Sequence, residues 1–197
     1  MNATDTKIQI LDAAIELFWT SSYHATNMNA LSDAAGMNKA TVYQHYRSKE
    51  AIAIAAVGRA LERTEGWVFQ DSFEMFSDPL DRLQSIYQRI FESHKSLYEA
   101  DGMMRGCPFV NIGVELAVSS DGVCQAVNKA FAVFEGYYAQ IVEGLAQDGR
   151  LKHDLPASRL AADLQDNMNA ALVTSKLTKN PQAILDGFER AKRYLIG

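Results

Sequence analysis

Cysteine, proline and long apolar runs are scarce in this 197-residue sequence, and each scarcity excludes a class of protein. Two cysteines, Cys107 and Cys124, are too few for a disulfide framework, and no Cys-x-x-Cys or His/Cys cluster suggests zinc. Four prolines leave room for long helices. No run of about 18 apolar residues predicts a membrane span. The opening residues, MNATDTKIQ, lack the apolar stretch of a secretion signal, so we expect a cytoplasmic protein.

Enzyme signatures are missing as well. The sequence has no Walker loop, no nucleophile elbow and no dinucleotide-binding glycine pattern. A di-iron site in a helical bundle needs Glu-x-x-His pairs, and the nearest candidate, Glu92-Ser93-His94, has the wrong spacing. We therefore expect no enzymatic activity, no metal and no other cofactor.

The charge is distributed unevenly. The net charge of -5 argues against a nucleic-acid partner when taken as an average. Between Ala34 and Lys49, however, the only charged residues are Lys39, Arg47 and Lys49. Salt screens charges beyond roughly 10 Å, so DNA responds to the local field. The sequence therefore predicts one basic face on an acidic body.

The spacing of apolar residues predicts an all-α protein with two domains. Helices are expected at 6–19, 28–35 and 39–46, and from 49 past 60, with Asn27 or Thr26, Asn38 and Ser48 as N-caps and Gly36 ending the second helix. Longer helices should follow at 79–100, after Pro108, and at 121–147, 156–176 and 181–195. Residues 1–50 would form a three-helix head, a helix at about 49–66 the connector, and residues 67–197 a bundle of about six helices.

The second and third helices, joined by a tight glycine turn, have the form of a helix-turn-helix. Such a motif presents short polar side chains at the start of its second helix to base edges in the major groove. Lys39 can donate to guanine, Gln44 can pair with adenine, and the methyl groups of Ala40 and Thr41 can touch thymine. An alternative stays open from charge and spacing alone: a basic helix can also be the solvated face of an ordinary bundle.

Phosphate contacts would set the register of this head on DNA. Lys49 stands where the fourth helix begins, so its ammonium and the free N–H groups of that helix could hold a phosphate together. The start of the second helix, at Thr26 and Asn27, offers a comparable site. All predicted DNA contacts are Thr26, Asn27, Asn38, Lys39, Ala40, Thr41, Tyr43, Gln44, His45, Tyr46 and Lys49.

The stretches ILDAAIELF and YHATNMNALSDAAGMNKATVYQHYRSKEA resemble the N-terminal signature of the TetR family of bacterial transcriptional regulators, over roughly residues 7 to 55. The resemblance implies an all-helical homodimer that binds an inverted-repeat operator through the third helix. It also implies an effector pocket in the C-terminal bundle and repression that the effector relieves. Glycines are usual in this family where Ser22 and Ala40 stand, which leaves the operator sequence open.

The segment GCPFVNIGVELAVSSD at residues 106–121 places Cys107 before Pro108, in the N-cap position of a predicted helix and near Arg105. The positive end of that helix and the charge of Arg105 both favour a thiolate. The segment resembles a GC-x-x-x-N-x-x-x-E motif of a TetR subgroup, in which some members sense electrophiles or hypochlorous acid through this cysteine. In such members a lysine that matches Lys176 approaches the thiol. The alternative is a cysteine that only packs.

Aromatic and apolar residues of the bundle are candidates for an effector pocket. They are Trp67, Phe91, Tyr98, Phe109, Phe134, Tyr137 and Met168. Because few charges accompany them, they predict a small hydrophobic or aromatic effector, although plain core is the alternative. The helices at 156–176 and 181–195 resemble the dimer interface of the family. Their apolar positions are Leu160, Leu164, Met168, Ala171, Leu172, Ile184, Leu185 and Phe188, which could equally pack within one subunit.

Overall fold

The computed structural model describes residues 3–197, and these residues form helices with no strand among them. The N-terminal helices are α1 (Ala3–Ser21), α2 (Met28–Ala34), α3 (Lys39–His45) and α4 (Lys49–Thr64). A π-helical segment (Glu65–Gln70) leads into α5 (Asp71–Met75), α6 (Pro79–Asp101), α7 (Pro108–Leu116), α8 (Asp121–Gln147), α9 (Ala157–Thr178) and α10 (Gln182–Ile196). The predicted all-α fold is confirmed. Within residues 3–197, no helix is both long and apolar enough to cross a bilayer.

The predicted N-caps form hydrogen bonds that explain where the short helices begin. The side-chain oxygen of Asn27 accepts the amides of Asn29 and Ala30 at 2.9 and 3.0 Å, so Asn27 caps α2 rather than Thr26. Asn38 accepts the amide of Thr41 at 2.8 Å and caps α3 in the same way. Each cap satisfies backbone N–H groups that the first turn of a helix leaves without a partner.

The turn between α2 and α3 depends on Gly36. Its φ of +62° lies in the left-handed region, which glycine adopts without the steric cost that a Cβ imposes. The amide of Met37 closes the turn by donating to the Ser32 carbonyl at 2.9 Å. Leu31 of α2 and Val42 of α3 are both 0% exposed, so the two helices are held together by a buried apolar contact surface. α3 is thereby fixed with one side turned inward and the other free.

The contacts divide the chain into two compact units. The first contains the chain through Arg63 together with Pro108–Ala130, and the second contains Thr64–Cys107 and Phe131–Gly197. Helix α7 and the start of α8 therefore belong to the same unit as the helix-turn-helix. Their apolar pattern does not reveal which unit buries them, so from the sequence they are expected in the second domain.

Within the second unit, α9 packs closely against α10. A Cβ at Gly187 would lie 2.8 Å from the Cβ of Ala171, so only glycine permits this approach. The side-chain amide of Asn167 donates to the Tyr87 hydroxyl and to the Gly187 carbonyl, at 2.8 Å each. This packing buries most of the predicted dimer-interface positions within one chain. Leu160, Leu164, Met168, Ala171, Leu172, Ile184 and Phe188 are buried, and Leu185 is half-buried.

Candidate nucleic-acid interface and effector region

The outward side of α3 carries the residues that the helix-turn-helix chemistry requires. Lys39, Ala40, Tyr43 and Gln44 are exposed, whereas Val42 on the opposite side is 0% exposed. Positions i, i+1, i+4 and i+5 share one face of an α-helix. Arg47, two residues beyond the end of α3, is also exposed. We call Lys39, Ala40, Tyr43, Gln44 and Arg47 the α3 face.

The α3 face is electrostatically positive. Lys39 and Arg47 have no ion-pair partner among the residues that the structure describes, and the Lys39 ammonium lies 6.0 Å from the centre of the Tyr43 ring. No acidic residue occurs between Ala34 and Lys49 to neutralise them. Arg47 entered the sequence analysis only as a charge. No helical spacing could place it, because Tyr46 has an extended backbone with a φ of -137° and ends the helix before Arg47.

Other predicted contacts on α3 are less available. The Thr41 hydroxyl donates to the Asn38 side-chain oxygen at 3.0 Å, so both side chains take part in the cap. His45 and Tyr46 are half-buried, and burial raises the pKa of the Tyr46 hydroxyl. These four residues border the α3 face, and their contact with DNA stays a prediction.

The structure corrects the expected role of Lys49. Its ammonium donates to the carbonyls of Tyr23 and Thr26 at 2.9 and 2.8 Å and lies 4.1 Å from the centre of the Tyr23 ring. A cation held by two carbonyls and an aromatic face is not presented to a phosphate. Lys49 therefore stabilises the loop between α1 and α2.

The expected phosphate site at the start of α2 also needs correction. Thr26 is 2% exposed, and its hydroxyl donates to the Ser22 carbonyl at 2.7 Å. The Asn27 side chain occupies the amides of Asn29 and Ala30. The groups that would have received a phosphate thus already have partners within the chain, although Asn27 itself is exposed.

The loop from Ser22 to Asn27 begins at a position where the TetR signature usually has glycine. Ser22 has a φ of +77°, in the left-handed region, which accounts for the glycine that is usual at this position. The loop is also held by Glu115 of α7, whose carboxylate accepts the amides of Tyr23 and His24 at 2.9 and 2.7 Å. In the sequence, Glu115 stands out only as the last position of the GC-x-x-x-N-x-x-x-E motif.

Cys107 lies in a buried segment of the second unit. The residue is 6% exposed, and Arg105 forms an ion pair with Asp101 at 2.5 Å. Burial disfavours a thiolate, and Asp101 offsets the charge of Arg105 that was expected to favour it. Both observations weaken the sequence argument for a reactive thiol.

The backbone before Cys107 approaches α9 closely. Gly106 has a φ of +69°, and a Cβ there would lie 3.1 Å from Cδ of Lys176 and 3.3 Å from the Leu172 carbonyl oxygen. The carbonyl of Gly106 lies 3.2 Å from Nε2 of His94, a buried ring whose pKa is lowered by that burial. The methylene stem of Lys176 therefore lies next to Gly106, while the approach of Lys176 to the Cys107 thiol stays a prediction.

The aromatic effector candidates do not all come together. Phe134 stacks on Phe69 with ring centres 4.9 Å apart, and Tyr137 lies 5.1 Å from Phe73, so these rings fill a packed core. Phe109 belongs to the first unit, where it lines an apolar pocket of about 20 Å³. The remaining candidates are Trp67, which is 39% exposed, Phe91 and Tyr98, which are half-buried, and Met168, which is buried. The effector role of all of them stays a prediction.

Curated proteins and solved structures are similar to the chain over nearly its whole length. It is 24% identical over 198 residues to the transcriptional regulator UidR of Escherichia coli (strain K12), covering 99% of this chain and 93% of that protein. It is 25% identical over 188 residues to the transcriptional repressor DhaR of Mycobacterium sp. (strain GP1), covering 93% and 89%. The reduced form of E. coli NemR has the same fold, with a TM-score of 0.86, 18% identity and 97% coverage of both chains.

Two family models match the chain. The model for bacterial regulatory proteins of the tetR family matches residues 10–56, which contain α2 and α3 with the α3 face. The model for the tetracyclin repressor-like C-terminal domain matches residues 79–193, more than half of the chain. A capped, glycine-turned helix pair with a positive outward face is the arrangement that a DNA-binding head requires. The chain therefore belongs to the TetR family of bacterial regulatory proteins and is a helix-turn-helix, DNA-binding transcriptional regulator.

Proposed function

We propose that the protein is a cytoplasmic, homodimeric repressor that binds an inverted-repeat operator and is released by a small hydrophobic or electrophilic effector. The observation that carries the proposal is the α3 face, in which exposed Lys39 and Gln44 lie on a helix anchored by buried Val42 and exposed Arg47 follows the end of that helix. Lys39 and Gln44 have the chemistry to read guanine and adenine edges, and Arg47 to hold a phosphate. The proposal assigns the chain no enzymatic activity and no cofactor.

Selection of duplexes from a random library by the full-length protein tests the DNA half of this proposal. A dimer with one α3 per subunit should enrich an inverted repeat whose half-site centres are about 34 Å apart or a multiple of that spacing. Footprinting of the enriched duplex should protect both half-sites. Failure to enrich any sequence would contradict the proposal.

The dimer is supported by an apolar stripe on the outward side of α9. Ala170, Val173 and Leu177 are exposed and three or four residues apart, and Val173 and Leu177 are 40% and 78% exposed. Such a stripe can meet its own copy across a twofold axis, because a symmetric interface uses the same patch twice. These residues replace the buried positions that the sequence analysis had proposed.

Leu177→Glu should disrupt the dimer. Each subunit would bury an unpaired carboxylate in the interface, so the dissociation constant of the dimer should rise on the order of 100-fold or more. Sedimentation velocity measures the shift toward monomer, and operator affinity should fall with it. Gln84→Glu on the exposed side of α6 introduces the same charge and should leave the dimer intact. An unchanged dimer in Leu177→Glu would exclude α9 as the interface.

A second candidate function is a response to electrophiles or oxidants through Cys107. We infer that the chain belongs to the subgroup with the GC-x-x-x-N-x-x-x-E motif, which Gly106, Cys107, Asn111 and Glu115 match. The specific observation in its favour is the contact between Gly106 and the stem of Lys176. In an electrophilic response, the Cys107 thiolate would form a C–S bond to the β-carbon of an activated C=C bond, the π bond would break, and the α-carbon would take a proton from water, which leaves a thioether.

The Cys107→Ser variant distinguishes an effector that reacts with the Cys107 thiol from a hydrophobic effector that binds without forming a covalent bond. The variant should bind the operator within about twofold of the wild type, because the thiol is not part of the α3 face. If the thiol is the sensor, N-ethylmaleimide should release wild-type protein from DNA and leave the variant bound, as measured by fluorescence anisotropy. Cys124→Ser is the matched control and should still be released. Equal release of wild type and Cys107→Ser would exclude the thiol sensor.

A further inference from the structure

The loop from Ser22 to Asn27, here the α1–α2 loop, determines where the helix-turn-helix begins. Its backbone is held from two directions within the first unit. The ammonium of Lys49 donates to the carbonyls of Tyr23 and Thr26. The carboxylate of Glu115 accepts the amides of Tyr23 and His24. The positive ammonium therefore meets carbonyl oxygens, which are partly negative, and the negative carboxylate meets N–H groups, which are partly positive.

The Glu115 contact is a two-point hydrogen bond to backbone. Oε2 accepts the amide of Tyr23 at 2.9 Å, and Oε1 accepts that of His24 at 2.7 Å. Hydrogen bonds with an ionised acceptor are about twice as strong as neutral ones. Burial alone would raise the pKa of Glu115, but the amides of His24 and Tyr23 and the hydroxyl of Ser22 lower it below its usual range. The carboxylate is therefore ionised at neutral pH and able to accept both amides.

Helix α7, which carries Glu115, is itself held in place by buried side chains. Phe109, Ile112 and Leu116 are 3%, 6% and 2% exposed, which places one side of α7 in the core of the first unit. The turn after α7 is tied to α4 as well, since the Ser120 hydroxyl donates to the carboxylate of Glu50. A fixed helix can impose its own position on the loop that its glutamate holds.

We propose that Glu115 is a positioning residue for operator binding: from α7 it fixes the α1–α2 loop, and through the loop it sets the placement of α2 and α3. The inference rests on the proposed function for its DNA readout. Any displacement of α7 that breaks the two amide bonds releases the loop without unfolding α3. Helix α7 is thus an input to the DNA-binding head in addition to α4, which the sequence analysis regarded as the only connector.

Glu115→Gln in the full-length protein tests the inference with almost no change of shape. The amide side chain keeps one acceptor oxygen, but its NH₂ group faces a backbone N–H and cannot accept it. Hydrogen exchange at the amides of Tyr23 and His24 should accelerate at least about tenfold, since a lost charge-assisted bond removes that much protection. The dissociation constant for the selected operator should rise about tenfold on the same ground.

Two comparisons distinguish positioning from a general loss of stability. Exchange at the Tyr46 amide, which closes α3 by donating to the Val42 carbonyl, should stay at its wild-type rate in Glu115→Gln. Glu143→Gln on the exposed side of α8 changes the charge equally and should alter neither exchange nor affinity. Faster exchange at Tyr46 to the same extent would identify a merely structural role and overturn the inference.

Hydrogen exchange and operator binding test different claims, so one can fail without the other. If wild-type protein binds no duplex, the proposed function fails, and the exchange data still decide whether Glu115 fixes the loop. Unprotected amides at Tyr23 and His24 in the wild type would overturn the inference. So would wild-type operator affinity in a Glu115→Gln variant whose two amides exchange faster, because the loop would then not position the head.

Discussion

Gly106→Ala should destabilise the second unit by about 2 to 5 kcal/mol, because a left-handed residue with a Cβ costs about 1 to 2 kcal/mol and overpacking adds about 1 to 3. Gly106 has a φ of +69°, and the new methyl group would lie 3.3 Å from the Leu172 carbonyl oxygen and 3.1 Å from Cδ of Lys176. The lysine stem can move aside, but the carbonyl belongs to the backbone of α9. Urea denaturation followed by circular dichroism measures the loss.

Two further variants separate the causes of this loss. Gly136→Ala, in α8 of the same unit, places its methyl group where no atom lies within 4 Å, and should stabilise the helix by up to about 1 kcal/mol. The double variant Gly106→Ala/Lys176→Ala should recover only the part of the lost stability that is due to the clash with the Lys176 side chain. Full recovery would show that φ and the α9 carbonyl are unimportant, and an unchanged Gly106→Ala midpoint would contradict the close approach itself.

The start of each short helix could be predicted because an N-cap is a local interaction. Asn27 and Asn38 lie within three residues of the amides they accept, so the sequence contains the whole interaction. The same holds for Gly36, whose left-handed turn needs no distant partner. Within α3, helical spacing alone also decides that Ala40 and Gln44 lie opposite buried Val42, whereas no spacing places Arg47, which follows the helix.

Interactions between distant residues could not be predicted. Glu115 is 92 positions away from Tyr23, and no periodicity connects a glutamate with the amides of a remote loop. Lys49 was assigned to a phosphate because a lysine at a helix start suggests one, whereas the fold places two carbonyls within its reach. The apolar pattern of α9 has the same limit. Burial by α10 of the same chain and burial by a second subunit favour the same residue types, so the sequence left both open for Leu164 and Met168, and the structure buries both within one chain.

Neutralising the α3 face with Lys39→Gln and Arg47→Gln should nearly abolish operator binding at physiological salt while the fold persists. Both side chains are exposed and have no ion-pair partner among the described residues, so folding does not depend on their charge. A dimer would lose two Arg47 contacts to phosphates, which should reduce the slope of log K against log salt by about 1.8, and two Lys39 contacts to base edges. At about 0.15 M salt this slope corresponds to roughly a 30-fold loss of affinity, and the two base contacts, at about 1 kcal/mol or more each, bring the total to roughly a thousandfold.

The salt dependence distinguishes this mechanism from a local disturbance of α3. Loss of a phosphate contact reduces the slope of log K against log salt by a fixed amount. A displaced α3 also lowers the affinity, but the change in slope is then not set by the number of cations removed. Titrations of the selected operator at several salt concentrations measure both quantities. Lys129→Gln with Lys179→Gln removes the same charge from exposed positions outside α3 and should leave slope and affinity nearly unchanged. An equal loss in this control would show that net charge governs binding, and the α3 face would then have no special part in it.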